Sequence, residues 1–269
     1  MILSLPARIA LRLLTALVLA FLYVPLIVIA ILSFSTSRTF TWPPPGYTTK
    51  WWHRAFHAPG PRDALLTSVK VALLATLIAL VLGSLASYAV NRFKFFGRDS
   101  ISLLIVLPIA LPGIVTGVAL NAAFREMGFD FGYITVVIAH ATFCIVVVFN
   151  NVVARLRRLA PNVDEASADL GADVFQTFRY VTFPLIRSAL VAGGLLAFAL
   201  SFDEIVVTTF TAGPGMETLP QWIFNNIFRP NQLPTVNVVA VVVITLSIIP
   251  VWVAQRLSAD PVALRSEAG

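Results

Sequence analysis

Long apolar stretches separated by short polar segments make up most of this chain. Six of the stretches are long enough for a helix to cross the hydrocarbon core of a bilayer, which takes roughly 20 residues. Their approximate limits are 13–33, 67–90, 101–124, 133–154, 189–211 and 235–255. The pattern predicts an all-α, polytopic membrane protein with six transmembrane helices, organised as a single transmembrane domain over residues 1–269.

A polar segment at 160–184 interrupts this pattern. Pro161 and Asn162, with Glu165 three residues after the asparagine, are typical of a helix start, in which the Asn162 side chain caps the first turn. Gly171 is typical of a helix end. The sequence therefore predicts a short helix over 162–171.

A second helix start follows directly. Asp173 and Gln176 repeat the capping signature, and Pro184, which has no backbone N–H, is expected to end this second helix. Two short helices that meet at a glycine predict a compact, protruding elbow at 160–184. This shape suits docking on a partner protein.

Composition and missing motifs exclude several classes of function. Hydrophobic residues make up 58% of the chain and charged residues 12%, about half the charged fraction of a soluble domain. The only lysines are Lys50, Lys70 and Lys94, and none lies in a glycine-rich phosphate loop, so the chain is not expected to hydrolyse ATP. Its single cysteine, Cys144, excludes a disulfide framework and is interpreted as a packing residue.

The positions of the three histidines do not indicate a metal site. His53 and His57 have the spacing that places two imidazoles on one helix face, but Pro59 ends any helix there, so we interpret them as solvent-facing or interfacial. His140 lies inside the fourth stretch, where a hydrogen-bonded packing role is favoured over a proton relay. Neither a metal nor a cofactor is expected in this chain.

The basic residues predict the orientation in the membrane. With a cytoplasmic N-terminus, twelve of the 19 lysines and arginines fall on the cytoplasmic side and six on the outer side. They cluster near helix ends, where the positive-inside bias is strongest. Both termini and the elbow are therefore expected in the cytoplasm. The net charge of +6 fits contacts with anionic membrane lipid and requires no nucleic acid.

Two adjacent carboxylates, Asp203 and Glu204, lie within the fifth apolar stretch. Charges inside a membrane are costly unless they face water, a cation or a partner, so acids there indicate a functional site. If the segment is helical, the two side chains point about 100° apart. One then lines a pathway while the other pairs with backbone amides or a neighbouring subunit; in the alternative interpretation both are structural.

Further polar residues are weaker candidates for a substrate pathway, since polar side chains in spans more often join helices. They are Thr116, Asn121 and Thr208.

The elbow resembles the EAA loop of permease subunits of type I ABC importers. The resemblance is carried by Asp164-Glu-Ala-Ser-Ala-Asp-Leu-Gly-Ala172 and then by Phe178, Val181 and Pro184, with Ser167 in place of the second alanine. The segments that begin at Tyr47, Leu107 and Ser201 are similar to the second permease of spermidine/putrescine-type importers. Some of those permeases carry an acid where this chain has Gly113.

The resemblance implies a fold, partners and a mechanism. Two different permease subunits would enclose the path, an extracytoplasmic binding protein would deliver a small cationic solute, and a separate ATPase dimer would bind ATP and Mg²⁺. The chain would be a multi-pass protein of the bacterial inner membrane. Its elbow would dock on the ATPase through Asp164, Glu165, Ala166, Asp169, Leu170, Gly171, Phe178 and Pro184.

Other functions and solutes remain open at this point. A secondary transporter or channel would also use Asp203 and Glu204, but it has no need of a doubly capped elbow, and the sequence has no strong internal repeat. An intramembrane hydrolase would need a nucleophile and base at plausible depth, which the sequence lacks. Ferric ion, phosphonates and opine-like amino acid derivatives compete with polyamines as the solute.

Overall fold

The computed structural model describes residues 4–160, 162–229 and 231–258, of which Asp164 and residues 249–258 are described by their backbone alone. The all-α fold class is confirmed. The α-helices of the described chain are α1 (Leu5–Leu32), α2 (Lys50–His57), α3 (Pro59–Arg92), α4 (Arg98–Ala110), α5 (Gly113–Glu126), α6 (Tyr133–Leu156), α7 (Val163–Asp169), α8 (Val174–Thr177), α9 (Phe183–Phe202), α10 (Val206–Thr211), α11 (Leu219–Ile227) and α12 (Leu233–Ser258). A π-helical turn, Phe178–Thr182, joins α8 to α9.

Each of the six predicted spans overlaps an apolar helix of the described chain. Within the described residues, four helical segments are long and apolar enough to cross a membrane: Leu5–Leu32, Pro59–Arg92, Tyr133–Leu156 and Val174–Phe202. The pair α4 and α5 forms a fifth candidate, and Leu233–Ile248 is a shorter apolar stretch. The six-span architecture is compatible with this arrangement.

The third predicted span, 101–124, is not one straight helix. Its two halves, α4 and α5, are bent by 108° at a short break. Leu111 has the extended conformation (φ −83°, ψ 144°) that a following proline imposes, and Pro112 precedes α5. The expectation of a continuous helix was therefore wrong at Leu111 and Pro112.

The fifth predicted span, 189–211, is also interrupted. The helical path begins earlier, at Val174, and α9 ends at Phe202, while α10 begins only at Val206. Asp203 and Glu204 lie in the break between the two helices. The expected divergence of about 100° for helical neighbours therefore does not apply to them.

Pro184 does not end the second elbow helix, contrary to the sequence prediction. The backbone N–H of Phe183 donates to the carbonyl of Phe178, five residues back, and Pro184 then occupies the first turn of α9. A proline is tolerated there because the first amides of a helix have no intrahelical acceptor. The π-helical turn thus restarts the hydrogen-bond register and lets the helix pass into the membrane.

The described residues form two compact units. The first consists of the chain up to Arg62 together with Trp222–Ile248, and the second contains Asp63–Gln221. In the first unit, Trp51 is buried and its Nε1–H donates to the carbonyl of Ser35 over 2.8 Å, which fixes α2 against the loop that follows α1.

The second unit is built on α6, the most buried of the long helices. Its partner α9 presents the small residues Gly193 and Ala197, and a Cβ added to Gly193 would lie 3.3 Å from the Cα of Val148. Small residues let two helices approach closely where lipid provides no hydrophobic driving force. Cys144 is buried here and its thiol donates to the carbonyl of Ala197 over 3.3 Å, as expected for a packing residue.

Candidate coupling elbow and acidic helix break

The first elbow helix, α7, spans Val163–Asp169, slightly shorter than the predicted 162–171. Its N-cap is Asn162, but the asparagine side chain makes no capping hydrogen bond, so that part of the prediction was wrong. The backbone φ of −96° and ψ of 6° differ from the extended conformation that capping side chains usually accompany. Pro161 lies outside the described residues.

Gly171 ends this helix, as the sequence predicts. Its φ is +84°, a left-handed conformation that glycine adopts without the steric penalty of a Cβ. The Gly171 N–H donates to the carbonyl of Ala168 over 2.8 Å, and the Ala172 N–H donates to that of Ser167 over 3.1 Å. These two bonds form a Schellman motif, which satisfies the free carbonyls at the end of α7.

The second elbow helix has the predicted reciprocal cap. The Gln176 N–H donates to Asp173 Oδ1 over 2.8 Å, and the Asp173 N–H donates to Gln176 Oε1 over 2.9 Å. A further hydrogen bond joins the buried hydroxyls of Ser167 and Thr177 at 3.0 Å and so connects α7 to α8. Ser167, which stands in place of the second alanine of the EAA pattern, therefore joins the two elbow helices.

The outer surface of the elbow is apolar and acidic. Leu170 is 89% exposed, Val174 79% and Phe175 73%. Glu165, Ala166 and Asp169 are exposed as well, whereas the side chain of Asp164 is not described. Exposed large apolar side chains grouped beside exposed acids indicate a protein-binding surface.

Phe178 joins the elbow to the transmembrane part of the second unit. Its ring packs edge-on against Tyr88 of α3, with centroids 6.4 Å apart, and lies 6.2 Å from the ring of Phe183. Aromatic pairs with such separations contribute about 0.5–1.5 kcal/mol beyond the burial of their area. Phe178 therefore contacts both α3 and the start of α9.

The two carboxylates at the helix break have different surroundings. Glu204 is half-buried and its Oε1 accepts a hydrogen bond from the Val207 N–H over 2.9 Å, so it caps the start of α10. Asp203 is exposed and occupies the C-cap position of α9. The structure thus gives a local structural partner to Glu204 and leaves the Asp203 side chain exposed.

His140 supports this break from α6. The ring is fully buried, with Nδ1 2.8 Å from Ser201 Oγ and Nε2 2.8 Å from Thr208 Oγ1. The predicted hydrogen-bonded packing role is therefore what the structure shows. Thr208, a candidate for the substrate pathway, has a fully buried side chain and no open surface in this chain.

The other two polar candidates lie on α5. Asn121 donates from Nδ2 to the carbonyl of Phe210 and accepts from Arg125 Nε over 2.9 Å, so it joins α5 to the end of α10. The hydroxyl of Thr116 is buried without a hydrogen-bond partner among the described residues. Their proposed role in a substrate pathway stays a prediction.

Two glycines that sequence reasoning did not select also shape this region. A Cβ on Gly117 would lie 2.6 Å from Cδ2 of Phe210, and a Cβ on Gly213 would overlap the backbone carbonyl of Phe131. Both positions hold α10 and its following loop close to the rest of the second unit. Each is the last residue of a segment that resembles the polyamine permeases, 107–117 and 201–213.

Comparison with known protein families decides the class of this chain. Residues 75–260 match the family described as the inner membrane component of binding-protein-dependent transport systems. The chain belongs to this family. It is a permease subunit of an ABC importer, and the resemblance noted in the elbow is confirmed.

Relatives in this family cover most of the chain. The putrescine transport system permease protein PotI of Escherichia coli K12 is 33% identical over 232 residues, which are 83% of this chain and 82% of the relative. The spermidine/putrescine transport system permease protein PotC of the same strain is 32% identical over 90% of each chain. A putative 2-aminoethylphosphonate transport system permease, PhnV of Salmonella paratyphi A, is 30% identical over 81% of this chain and 82% of the relative.

Solved structures show the same fold. A bacterial ABC transporter involved in the import of the acidic polysaccharide alginate matches with a TM-score of 0.72 at 17% identity, over 96% of this chain and 98% of that chain. The alginate transporter in complex with a pentasaccharide-bound periplasmic protein matches with a TM-score of 0.65 at 14% identity, over 93% and 92%. The type I importer permease fold expected from the sequence is confirmed.

Proposed function

We propose that this permease forms part of the path by which a bacterial importer carries a polyamine cation, putrescine or spermidine, across the inner membrane. The observation that carries the proposal is the exposed Asp203 at an unwound point between two apolar helices. A carboxylate that has to be kept in an apolar region is best balanced by a cation. The names of the Escherichia coli relatives support the same class of solute.

The elbow would transmit the motion of a separate ATPase subunit. Its exposed apolar side chains, Leu170, Val174 and Phe175, would fill a hydrophobic cleft of that subunit. Glu165 and Asp169 are four residues apart on α7, so they share one face and would meet basic residues at the rim. Interfaces between proteins commonly combine an apolar centre with a polar rim in this way.

The remaining partners follow from the same proposal. A second, different permease would complete the path, an extracytoplasmic binding protein would deliver the solute, and two ATPase copies would bind ATP and Mg²⁺. Both termini and the elbow would lie in the cytoplasm, because the excess of arginine and lysine falls on that side.

Uptake by the reconstituted importer tests the proposal. The permease would be co-expressed with its ATPase, second permease and binding protein. Vesicles containing the purified complex would be offered putrescine, spermidine, 2-aminoethylphosphonate, ferric ion and an opine-like amino acid derivative. ATP-dependent uptake of a polyamine alone is expected. Uptake of a phosphonate, ferric ion or amino acid derivative in place of polyamines would contradict the assignment, and uptake without the ATPase would contradict the mechanism.

A further inference from the structure

His140 connects both sides of the acidic helix break. Its Nδ1 contacts Ser201, in the last turn of α9. Its Nε2 contacts Thr208, in the first turn of α10. Because the two nitrogens belong to one rigid ring, the two hydrogen bonds set the separation of the two helix ends. The ring itself is held on α6, where its neighbours Ala139 and Ala141 are also buried.

The hydrogen bonds around His140 have a defined direction. The Thr208 hydroxyl donates to the carbonyl of Glu204 over 2.9 Å, so it accepts at its oxygen from His140 Nε2–H. Burial of an unpaired charge is costly, which favours the neutral ring, and Nδ1 is then the acceptor for the Ser201 hydroxyl. A continuous chain of donors therefore runs from Ser201 through His140 and Thr208 to the backbone of Glu204.

Glu204 is consequently fixed at two points. Its carbonyl accepts from Thr208, and its carboxylate caps the Val207 N–H. The residue before it, Asp203, is attached to α9 by its own N–H, which donates to the carbonyl of Ala199 over 3.2 Å. Asp203 and Glu204 therefore lie between Ser201 and Thr208, the two residues that the His140 ring joins.

We propose that His140 is a positioning residue that holds the helix break open and places the Asp203 carboxylate for contact with the solute. The proposal rests on the proposed pathway role of Asp203, and it adds a residue that does not itself touch the solute. His140 would act through Ser201 and Thr208, both of which are buried.

Chemical labelling at position 203 tests the positioning without depending on transport. Cys144 is the only cysteine of the chain, so Cys144→Ala gives a background in which Asp203→Cys introduces a single thiol. The reaction rate of this thiol with a membrane-impermeant, cationic methanethiosulfonate reagent would be measured on the complete importer by mass spectrometry of this chain. The rate reports how far position 203 is exposed.

Variants of the hydrogen-bonded chain should change this rate. His140→Leu and Thr208→Val are each expected to change it by about five-fold or more, the effect of one net buried hydrogen bond on an equilibrium. Thr208→Ser, which keeps the hydroxyl, should restore the original rate. The double variant His140→Leu with Thr208→Val should change the rate no further than either single variant, since both remove the same connection.

A matched control separates positioning from general loosening of the core. Ser87 is a buried serine whose hydroxyl donates to the carbonyls of Gly83 and Phe149, away from the break, so Ser87→Ala should leave the labelling rate unchanged. If His140→Leu fails to assemble, Thr208→Val carries the same test, because valine preserves the shape of threonine. An unchanged rate in Thr208→Val, or an equal change in Ser87→Ala, would overturn the proposal.

Transport measurements distinguish this proposal from the one it rests on. Normal polyamine uptake by Asp203→Asn together with altered labelling in Thr208→Val would reject the pathway role of Asp203 and retain the positioning by His140. Reduced uptake by Asp203→Asn, together with an unchanged labelling rate in Thr208→Val, would reject only the positioning of Asp203 by His140. If Asp203 contacts the solute and His140 positions it, Thr208→Val should raise the apparent KM for the solute more than it lowers the maximal rate.

Discussion

The elbow and the acidic helix break are organised in opposite ways. The hydrogen bonds that shape the elbow join residues close in sequence: Asp173 with Gln176, three residues apart, and Ser167 with Thr177, ten residues apart. The break is supported by bonds between residues 61 and 68 positions apart, those of His140 with Ser201 and Thr208. The elbow is therefore a locally closed module with an exposed surface, whereas the break depends on the packing of three helices.

This difference fits two different tasks. A locally closed element keeps its shape when it moves, so in the proposed function the elbow would transmit displacement from a partner through Phe178 to α3 and α9. A carboxylate that recognises a solute would need a fixed position, which the buried contacts of His140 would provide. Variants in the two regions should consequently fail in different ways.

The largest effect is expected at the end of the first elbow helix. Gly171→Pro requires φ near −65° where the chain has +84°, and it removes the N–H that donates to Ala168. A distortion of about 3 kcal/mol or more should uncouple the elbow and lower ATP-dependent uptake by about 100-fold. Uptake would be measured in vesicles that contain equal amounts of the assembled importer.

Gly128 offers a matched control for this variant. Its φ is +72° and its N–H donates to the carbonyl of Arg125, so Gly128→Pro imposes the same backbone strain outside the elbow. Much of the uptake should remain in Gly128→Pro. Equal losses in both variants would show that backbone strain, and not the elbow surface, limits transport.

A smaller, selective effect is expected at the break. Asp203→Asn removes an exposed charge and should lower polyamine uptake by about ten-fold, the effect of a lost charge-assisted contact. Glu204→Gln keeps the side-chain oxygen that caps Val207 and should change uptake less than Asp203→Asn does. Equal and small effects of the two variants would mean that both acids are structural.

The close approach of α10 to its neighbours should appear as a difference in stability. Gly213→Ala places a methyl group on the backbone carbonyl of Phe131, which cannot move aside, whereas in Gly117→Ala the contact is with the ring of Phe210. Overpacking typically costs about 1–3 kcal/mol, and we expect Gly213→Ala to lie at the upper end and Gly117→Ala below it. The midpoint of thermal unfolding of the purified complex gives the order; the reverse order would contradict the packing described.

The smallest effect is expected at the buried thiol. Cys144→Ser keeps a donor toward the carbonyl of Ala197, so the change in the free energy of unfolding should stay within about 1 kcal/mol. The same thermal measurement applies. A larger loss, or a loss of uptake at unchanged stability, would assign Cys144 a role beyond packing.

Local sequence signals were sufficient to predict the elbow but not the helix break. The glycine turn at Gly171 and the cap formed by Asp173 and Gln176 were predictable because their signals are local. The break at Asp203 and Glu204 was not predicted, because apolar residues continue on both sides of it and the contacts of His140 that support it join residues distant in sequence. Pro184 was misinterpreted for the converse reason: a π-helical turn lets the helix restart at a residue that usually ends one.

The number of solute molecules imported per ATP hydrolysed distinguishes a coupling elbow from a solute-contacting helix break. It would be measured in one vesicle preparation for Glu165→Lys in the elbow and for Asp203→Asn in the break, with the binding protein saturating. We expect Glu165→Lys to lose binding-protein-stimulated ATP hydrolysis and uptake together. Asp203→Asn should keep the stimulated hydrolysis and import fewer polyamine molecules per ATP. The same ratio and the same hydrolysis rate in both variants would contradict the division of tasks between the two regions.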